Sequence, residues 1–222
     1  MSGKKYELTG ETKVLADGMV LHRIRALRNF MTAYGLKISV GESGGWIEDE
    51  RNLSQDWNAW VCHEARVFGN AHVDGSACIG GDAWVYGKAR VCGYAHVCDN
   101  ARIYDNARIY DNVRVCDKAQ VGGYAQVSGR AWVCGEAIVR DSGDYAVYKN
   151  TWSSMRWVTH TRSDRMWKAG CFRGTGEELI AKAYEDGELS GRCYETIVRA
   201  QEAIDRAVEE AEEGKRRRNE NT

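Results

Sequence analysis

The side chains best suited to chemistry in this sequence are its eight cysteines and five histidines, and several of them share a regular spacing. Cys98, Cys116 and Cys134 follow one another at intervals of eighteen residues, and His96 lies between Cys78 and Cys98. Thiols and imidazoles are the usual zinc ligands, and thiolates are nucleophiles. Since no pair forms a CxxC or HxxxH spacing, the sequence predicts neither a metal site nor a cofactor.

Composition and charge limit the classes of protein that this chain represents. The 222 residues carry a formal net charge of -1, which gives no global attraction to nucleic acid or to an anionic membrane. The start MSGKKYELTGETK lacks the apolar run of a secretory signal, and no stretch of about 18 apolar residues suggests a membrane span. We therefore expect a cytoplasmic protein whose cysteines are reduced.

Fourteen consecutive hexads run from Ala59 to Ser142, and these hexads must position the cysteines. Each hexad reads close to A-x-V-x-G/D-x. Alanine opens every hexad except the one at Val113, and the third place is always Val or Ile. Side chains alternate along a strand, so places one and three point inward and places two and four point outward. Place five holds Gly or Asp, with one His, and these residue types favour tight corners.

Three hexads then close one triangular coil of eighteen residues. Coils stacked at the spacing of paired strands give about five coils and a rod on the order of 22 Å long. The predicted fold class is mainly β, a parallel β-helix over 59–142, with an N-terminal β cap and a C-terminal α+β cap that ends in a helix. Within the hexads no loop interrupts the register, which argues against catalysis in this region.

Outward residues eighteen apart form columns on three faces. We name the faces by their fourth places: the cysteine face holds Cys62, Gly80, Cys98, Cys116 and Cys134; the aromatic face holds Phe68, Tyr86, Tyr104, Gly122 and Arg140; the third face holds Asp74, Cys92, Tyr110 and Ser128. Contiguous exposed apolar residues commonly mark association surfaces. The candidate interaction surface comprises Phe68, Tyr86, Tyr104, Tyr110, Cys98, Cys116, Cys134, Trp60 and Trp132. The alternative is that these residues only favour strands and stack on one another.

Residues 1–58 precede the regular hexads and form the predicted cap. Lys13–Leu15 and Val20–Ile24, joined by a turn at Asp17-Gly18, predict a hairpin, and Ile47 and Leu53 predict a first coil. A solenoid needs such a unit to cover its open end.

The N-terminal motifs and the hexads together resemble the YdcK-like group of the hexapeptide-repeat superfamily. The residues that carry the resemblance are Lys5–Leu8, Leu21–Ala26, Gly44–Ile47, Asn52–Ser54 and Trp60-Val61, within roughly residues 5–142. The resemblance implies left-handed coils and a polymer-forming type of protein that is common in phages and prophages. The usual repeat places glycine one residue sooner, which weakens the link to the superfamily's transferases.

Residues 143–214 predict an α+β cap with two helices, followed by a basic frayed tail at 215–222. We expect a small meander around Ser163-Asp164. We also expect one helix that is capped by Thr175 and Glu178, and a second helix over about 190–213. Six Lys or Arg and two Asp lie between Gly143 and Gly176. Four of these bases and two tryptophans form a candidate basic-aromatic patch of Arg156, Trp157, Arg162, Arg165, Trp167 and Lys168. This patch either covers the β-helix end or binds nucleic acid.

The preferred functional hypothesis is a non-catalytic scaffold, a phage or prophage accessory protein that binds a host or viral macromolecule as a homo-oligomer. The resemblance to phage proteins and the apolar columns support it, and they also suggest a counter-defence role in the bacterial cytoplasm. An acyl-CoA-dependent acyltransferase and nucleic-acid binding by residues 143–176 are the alternatives. Each histidine is interpreted as a surface or turn residue, with His96 the first to mutate.

Overall fold

A computed structural model describes residues 3–220, and the side chains of residues 3–218, as two compact units. The first unit spans Met1–Val147 and the second Tyr148–Thr222, and the boundary falls within one strand. No helix among the described residues is both long and apolar enough to cross a membrane.

The first unit begins with a long hairpin and a short arm. Its strands are β1 Tyr6–Val14, β2 Val20–Ala26, β3 Phe30–Met31, β4 Lys37–Ile38 and β5 Ser43–Ile47. The predicted hairpin is confirmed, with Gly18 in the left-handed region of its turn at φ 85° and a bulge between Leu8 and Thr12. The predicted first coil is also confirmed, because Ile47 pairs with Val67 and Leu53 with Val73, and a 3-10 turn at Glu50–Asn52 lies between them.

Fourteen two-residue strands follow, one in each hexad. They are β6 Trp60–Val61, β7 Arg66–Val67, β8 His72–Val73, β9 Cys78–Ile79, β10 Trp84–Val85, β11 Arg90–Val91, β12 His96–Val97, β13 Arg102–Ile103, β14 Arg108–Ile109, β15 Arg114–Val115, β16 Gln120–Val121, β17 Gln126–Val127, β18 Trp132–Val133 and β19 Ile138–Val139. Every third strand pairs in parallel, which gives three sheets with the orders β1-β2-β5-β7-β10-β13-β16-β19, β17-β14-β11-β8 and β18-β15-β12-β9-β6. The prediction of a β-helix of about five coils is therefore confirmed.

The interior of the coils is dry and filled by small residues. The third-place residue of every hexad has no exposed surface, and the first-place residues are at most 1% exposed. Alanine and valine suit this space because three strands converge on a narrow axis. Burying each third-place Val or Ile contributes about 1.5–3 kcal/mol, so the stack of fourteen is the main source of stability in this unit.

The corners use residues that accept the left-handed backbone. All place-five residues from His63 to Gly135 have φ between 55° and 72°. Asp141 differs, with φ -132°, because it caps a 3-10 turn at Ser142–Asp144 that ends the hexads. At Gly87 an added Cβ would lie 2.8 Å from the backbone nitrogen of Asp105 in the next coil, so glycine is required there.

The second unit combines a meander with two helices. Its elements are β20 Tyr145–Lys149, which contains the unit boundary, β21 Trp157–Thr161, β22 Met166–Ala169, β23 Phe172–Gly174, α1 Gly176–Glu185 and α2 Glu188–Glu220. The predicted capping box is confirmed, since the backbone nitrogen of Thr175 donates to Glu178 and that of Glu178 donates to Thr175. Trp167, Val158 and Val198 are buried in the core between sheet and helices.

The second helix is longer than the sequence predicted. It begins two residues earlier and continues through Lys215–Arg218, so the tail expected at 215–222 is helical over its described part. The last two residues, 221 and 222, lie outside the described residues. Lys and Arg in the last turns suit the negative end of the helix dipole, which favours this extension.

Candidate functional site

In the first unit, outward side chains eighteen residues apart lie next to one another on neighbouring strands. On the aromatic face Trp84 pairs with Arg66 on one side and with Arg102 on the other, and each partner is eighteen residues away. The same register continues to Gln120 and Ile138. Residues far apart in sequence therefore form continuous surfaces on a rigid support.

The fourth-place column of the aromatic face is a stack of rings. The Phe68 and Tyr86 rings lie 5.3 Å apart and are nearly parallel at 6°, and Tyr86 and Tyr104 lie 5.7 Å apart at 17°. The Tyr104 ring lies over Gly122, where an added Cβ would approach it to 2.3 Å. Gly122 thus allows Tyr104 to lie flat on the face.

The second-place column of this face alternates arginine and tryptophan over five strands. In register, the column runs Arg23, Trp46, Arg66, Trp84 and Arg102. The guanidinium of Arg23 lies 4.2 Å from the Trp46 ring centroid, and those of Arg66 and Arg102 lie 4.8 Å and 5.8 Å from Trp84. Each such contact contributes about 0.5–1 kcal/mol where it is exposed. We call this column the arginine–tryptophan ladder.

One carboxylate fixes the start of that ladder. Glu64 accepts hydrogen bonds from Lys13, from the Trp46 indole nitrogen at 3.0 Å and from Arg23 at 3.0 Å. The hydrogen bond from Lys13 is the main reason that the pKa of Glu64 is lowered to about 2, with Trp46 and Arg23 adding to it. Glu64 therefore stays ionised and ties the hairpin to the first regular coil.

Several residues of the predicted interaction surface are not exposed. Trp60 has no exposed surface, because the ring of Phe30 from the β3–β4 arm lies 5.3 Å from it and the Tyr6 ring lies 6.4 Å from it. Phe68 is 8% exposed and Cys134 6% exposed. The expectation that these three side chains face solvent is wrong. Tyr86 and Tyr104 on the aromatic face, and Tyr110 on the third face, are half-buried.

The cysteine face carries a row of reduced thiols. The β3–β4 arm crosses this face, and Tyr34 stacks on His96 with ring centroids 4.4 Å apart. Beneath the arm is a cavity of about 480 Å³ lined by Thr32, Tyr34, Leu36, Cys62, His63, Cys78, Gly80, Gly81, His96, Cys98 and Asp99. A hydrogen bond with Cys78 and the nearby His63 lower the pKa of the Cys62 thiol to about 7, against the effect of burial. That hydrogen bond and burial raise the pKa of Cys78.

Further along the cysteine face, the structure brings together residues that could hold a metal. Cys98 lies beside Cys116, and the ligand atoms of Cys116, Asp117 and Cys134 lie within 4.8 Å of one another. Trp132, the last residue of the predicted surface, donates its indole hydrogen to the Cys116 sulfur at 3.0 Å. The sequence places these thiols in one column, but it does not predict a metal site there.

The predicted basic-aromatic patch is dispersed and partly neutralised. Trp167 is 1% exposed and belongs to the core of the second unit. Arg165 pairs with Glu209 at 3.1 Å and Arg162 with Glu212 at 3.4 Å, both on α2. The remaining members are Arg156 and Trp157, which are exposed, and Lys168, which is partly exposed. The acidic helix therefore occupies the arginines that were expected to face a ligand.

A buried polar cluster in the second unit was not predicted. His160 donates through Nε2 to Asp205 at 2.8 Å, and Gln201 donates to the same carboxylate at 2.8 Å. Tyr148 in turn donates to Gln201 at 2.5 Å. His160 is 3% exposed, so its interpretation as a surface or turn residue is wrong. His160 and Tyr148 lie 45 and 53 residues from their partners on α2, and no local motif joins them.

Comparisons with known proteins support the fold of the first unit. The family described as YdcK Beta solenoid repeat matches residues 101–117 and 107–123. A search of curated proteins found no match. The matched segments contain the two ARIYDN hexads, whose corner aspartates and inward isoleucines are described above. The chain is thus a β-helix repeat protein that is similar, over residues 101–123, to the YdcK β-solenoid repeat.

Proposed function

We propose that this protein is a non-catalytic scaffold that associates with a second copy of itself through the aromatic face. The observation that carries the proposal is the accessible part of the two columns, where Arg66, Trp84 and Arg102 of the arginine–tryptophan ladder lie beside Tyr86 and Tyr104 on one sheet. Trp, Tyr and Arg are the residues that dominate binding energy at protein interfaces. Their mutual stacking holds them in place before binding, which lowers the entropic cost of association.

The two columns favour self-association because they complement each other. A two-fold axis parallel to the coil axis, lying between the columns, would set the ladder of one copy against the ring stack of the other. Trp84 would then face Tyr86, and Arg102 would face Tyr104. In such an isologous contact, the ladder of each copy packs against the ring stack of the other copy. A face this small buries less than about 1,200 Å² in total, which corresponds to weak, reversible association.

The sequence offers a matched pair of variants because residues 101–106 and 107–112 are identical hexads on different faces. Arg102→Glu with Tyr104→Ser alters the aromatic face, and Arg108→Glu with Tyr110→Ser makes the same change on the third face. Light scattering over a concentration series should show dimers for wild type and for the third-face variant. The aromatic-face variant should remain monomeric at concentrations where the others associate. A monomeric wild type, or equal loss in both variants, would overturn the proposal.

The partner that we propose for this scaffold is a macromolecule of a bacterial host or its phage, met in the cytoplasm. The resemblance of the N-terminal motifs and hexads to phage-borne proteins supports this setting. Affinity purification from a bacterial lysate, with the aromatic-face variant as the control bait, tests it. A partner recovered by wild type and lost from that variant supports the proposal, and identical recovery by both baits contradicts it.

The alternative of an acyl-CoA enzyme receives less support from the geometry. The hexads continue without an inserted loop, and such loops normally carry catalytic groups on a rigid scaffold. Acetyl-CoA should therefore leave the melting temperature unchanged. A saturable increase in melting temperature would favour the enzyme instead.

A further inference from the structure

The last coils of the cysteine face bring thiols and a carboxylate to one place. The two sulfurs of Cys116 and Cys134 and a carboxylate oxygen of Asp117 all lie within 4.8 Å of one another. In tetrahedral coordination with bonds of about 2.3 Å, two zinc-bound sulfurs are about 3.8 Å apart. Side-chain adjustments of about 1 Å would therefore bring these atoms around one ion.

Neighbouring groups orient two of the candidate ligands. The Trp132 indole donates a hydrogen bond of 3.0 Å to the Cys116 sulfur, which fixes the position of that sulfur. The other side of the site is held by the backbone, because the nitrogen of Gly135 donates to Asp117 at 2.8 Å. Such outer contacts are typical of metal sites, where they fix the ligands before the ion arrives.

A third sulfur lies in the same column but outside the ligand set. Cys98 is one coil before Cys116, and its thiol donates to Asp99 at 3.4 Å. It is two coils, or about 9–10 Å, from Cys134, which is too far for both sulfurs to bind one ion.

The corner ladder alone does not explain this cluster. Asp105 and Asp111 accept the same kind of backbone hydrogen bond as Asp117, but tyrosines precede them. At Asp117 the preceding residue is a cysteine, and a second cysteine lies one coil further on. Thiolate and carboxylate together suit a borderline-soft divalent cation.

We propose that Cys116, Cys134 and Asp117 bind one zinc ion per chain, with solvent as the fourth ligand. Two thiolates favour zinc and its analogues cobalt and cadmium over magnesium and calcium. Because the ligands come from two successive coils, the ion would link these coils as a clasp. The site lies on a different face from the proposed dimer contact, so it does not depend on that function.

Titration of the full chain with Co²⁺ tests the proposal directly. Thiolate-bound Co²⁺ gives charge-transfer absorption in the near ultraviolet and visible bands typical of tetrahedral coordination, and we expect both to saturate at one ion per chain. The double variant Cys116→Ser with Cys134→Ser should lose these bands. Cys92→Ser, which removes a fourth-place thiol from the third face, should retain them. Added Zn²⁺ should displace Co²⁺ from wild type.

A milder variant separates ligation from folding. Asp117→Asn keeps an oxygen that accepts from Gly135 but loses the charge, so the fold should persist while Co²⁺ affinity falls at least about tenfold. Absence of thiolate bands in wild type would overturn the proposal. Bands that persist unchanged in the double serine variant would contradict the ligand set. An unaltered Co²⁺ affinity in Asp117→Asn would contradict it as well.

Discussion

The corner aspartates provide the sharpest test of how this sequence builds its coils. Asp111 has φ 58°, and its carboxylate accepts a hydrogen bond of 2.9 Å from the nitrogen of Gly129 in the next coil. Asparagine tolerates this backbone and keeps an acceptor, glycine keeps only the backbone, and alanine keeps neither. We therefore predict the stability order wild type ≈ Asp111→Asn > Asp111→Gly > Asp111→Ala.

The magnitudes follow from the two contributions. Loss of the exposed hydrogen bond costs about 0.5–1.5 kcal/mol, and placing alanine in the left-handed region adds about 1 kcal/mol. Asp111→Ala should thus lose about 1.5–2.5 kcal/mol. Glycine avoids the backbone penalty but increases the entropy of the unfolded chain, so its loss should be about 1 kcal/mol.

Urea unfolding at neutral pH, followed by far-ultraviolet circular dichroism and tryptophan fluorescence, measures these differences. Asp82→Ala is the matched control. Asp82 is an exposed acid that follows the corner residue Gly81, and its own φ lies outside the left-handed region. It should change the unfolding free energy by less than about 0.5 kcal/mol. If Asp111→Ala is as stable as Asp111→Asn, the account of the corners is wrong.

Three further predictions concern buried groups of the first unit. Ile103 has no exposed surface, so Ile103→Ala should lower the unfolding free energy by about 2–5 kcal/mol and Ile103→Val by about 0.5–1.5 kcal/mol, measured in urea. Cys78 and His63 lower the pKa of Cys62 to about 7. The rate of Cys62 alkylation by iodoacetamide, followed by peptide mass spectrometry, should therefore rise with pH with a midpoint of about 7, and His63→Ala should move that midpoint upward. An unshifted midpoint would contradict the contribution of His63. Burial, with Arg28 nearby, lowers the pKa of Lys5 to about 7, whereas an unfolded lysine titrates near 10.4. Between these two pH values the folded state binds fewer protons than the unfolded state. The unfolding free energy of wild type relative to Lys5→Met, measured in urea, should therefore rise from pH 7 to pH 10. A difference that does not change with pH would refute the assignment.

The repeat could be predicted from the sequence because its physics is local. The alternation of Ala59 and Val61 with outward residues follows from strand geometry, and Gly or Asp at place five marks each corner. These features recur fourteen times, so each hexad supports the same register. The inward positions of the first- and third-place residues are therefore confirmed throughout the array.

The candidate site was only partly predictable because its remaining parts come from outside the array. Arg23 and Trp46 join the ladder through strands β2 and β5, whose antiparallel register cannot be read from a six-residue period. Trp60 was assigned to the surface because the sequence does not show that the β3–β4 arm turns back across it. In the second unit, His160 meets Asp205 through helix packing, which leaves no local pattern.

The aromatic face and the metal site both require residues eighteen apart to lie side by side, and one substitution tests this directly. On the third face His72 is in register with Arg90, so Arg90→His should create a pair of imidazoles on adjacent strands. Nickel at 100 times its dissociation constant should then stabilise this variant by about 2.7 kcal/mol relative to wild type in urea. Arg108→His, one coil further away, should show no such gain. Equal responses of the two variants, or no response in Arg90→His, would contradict the stacked coils.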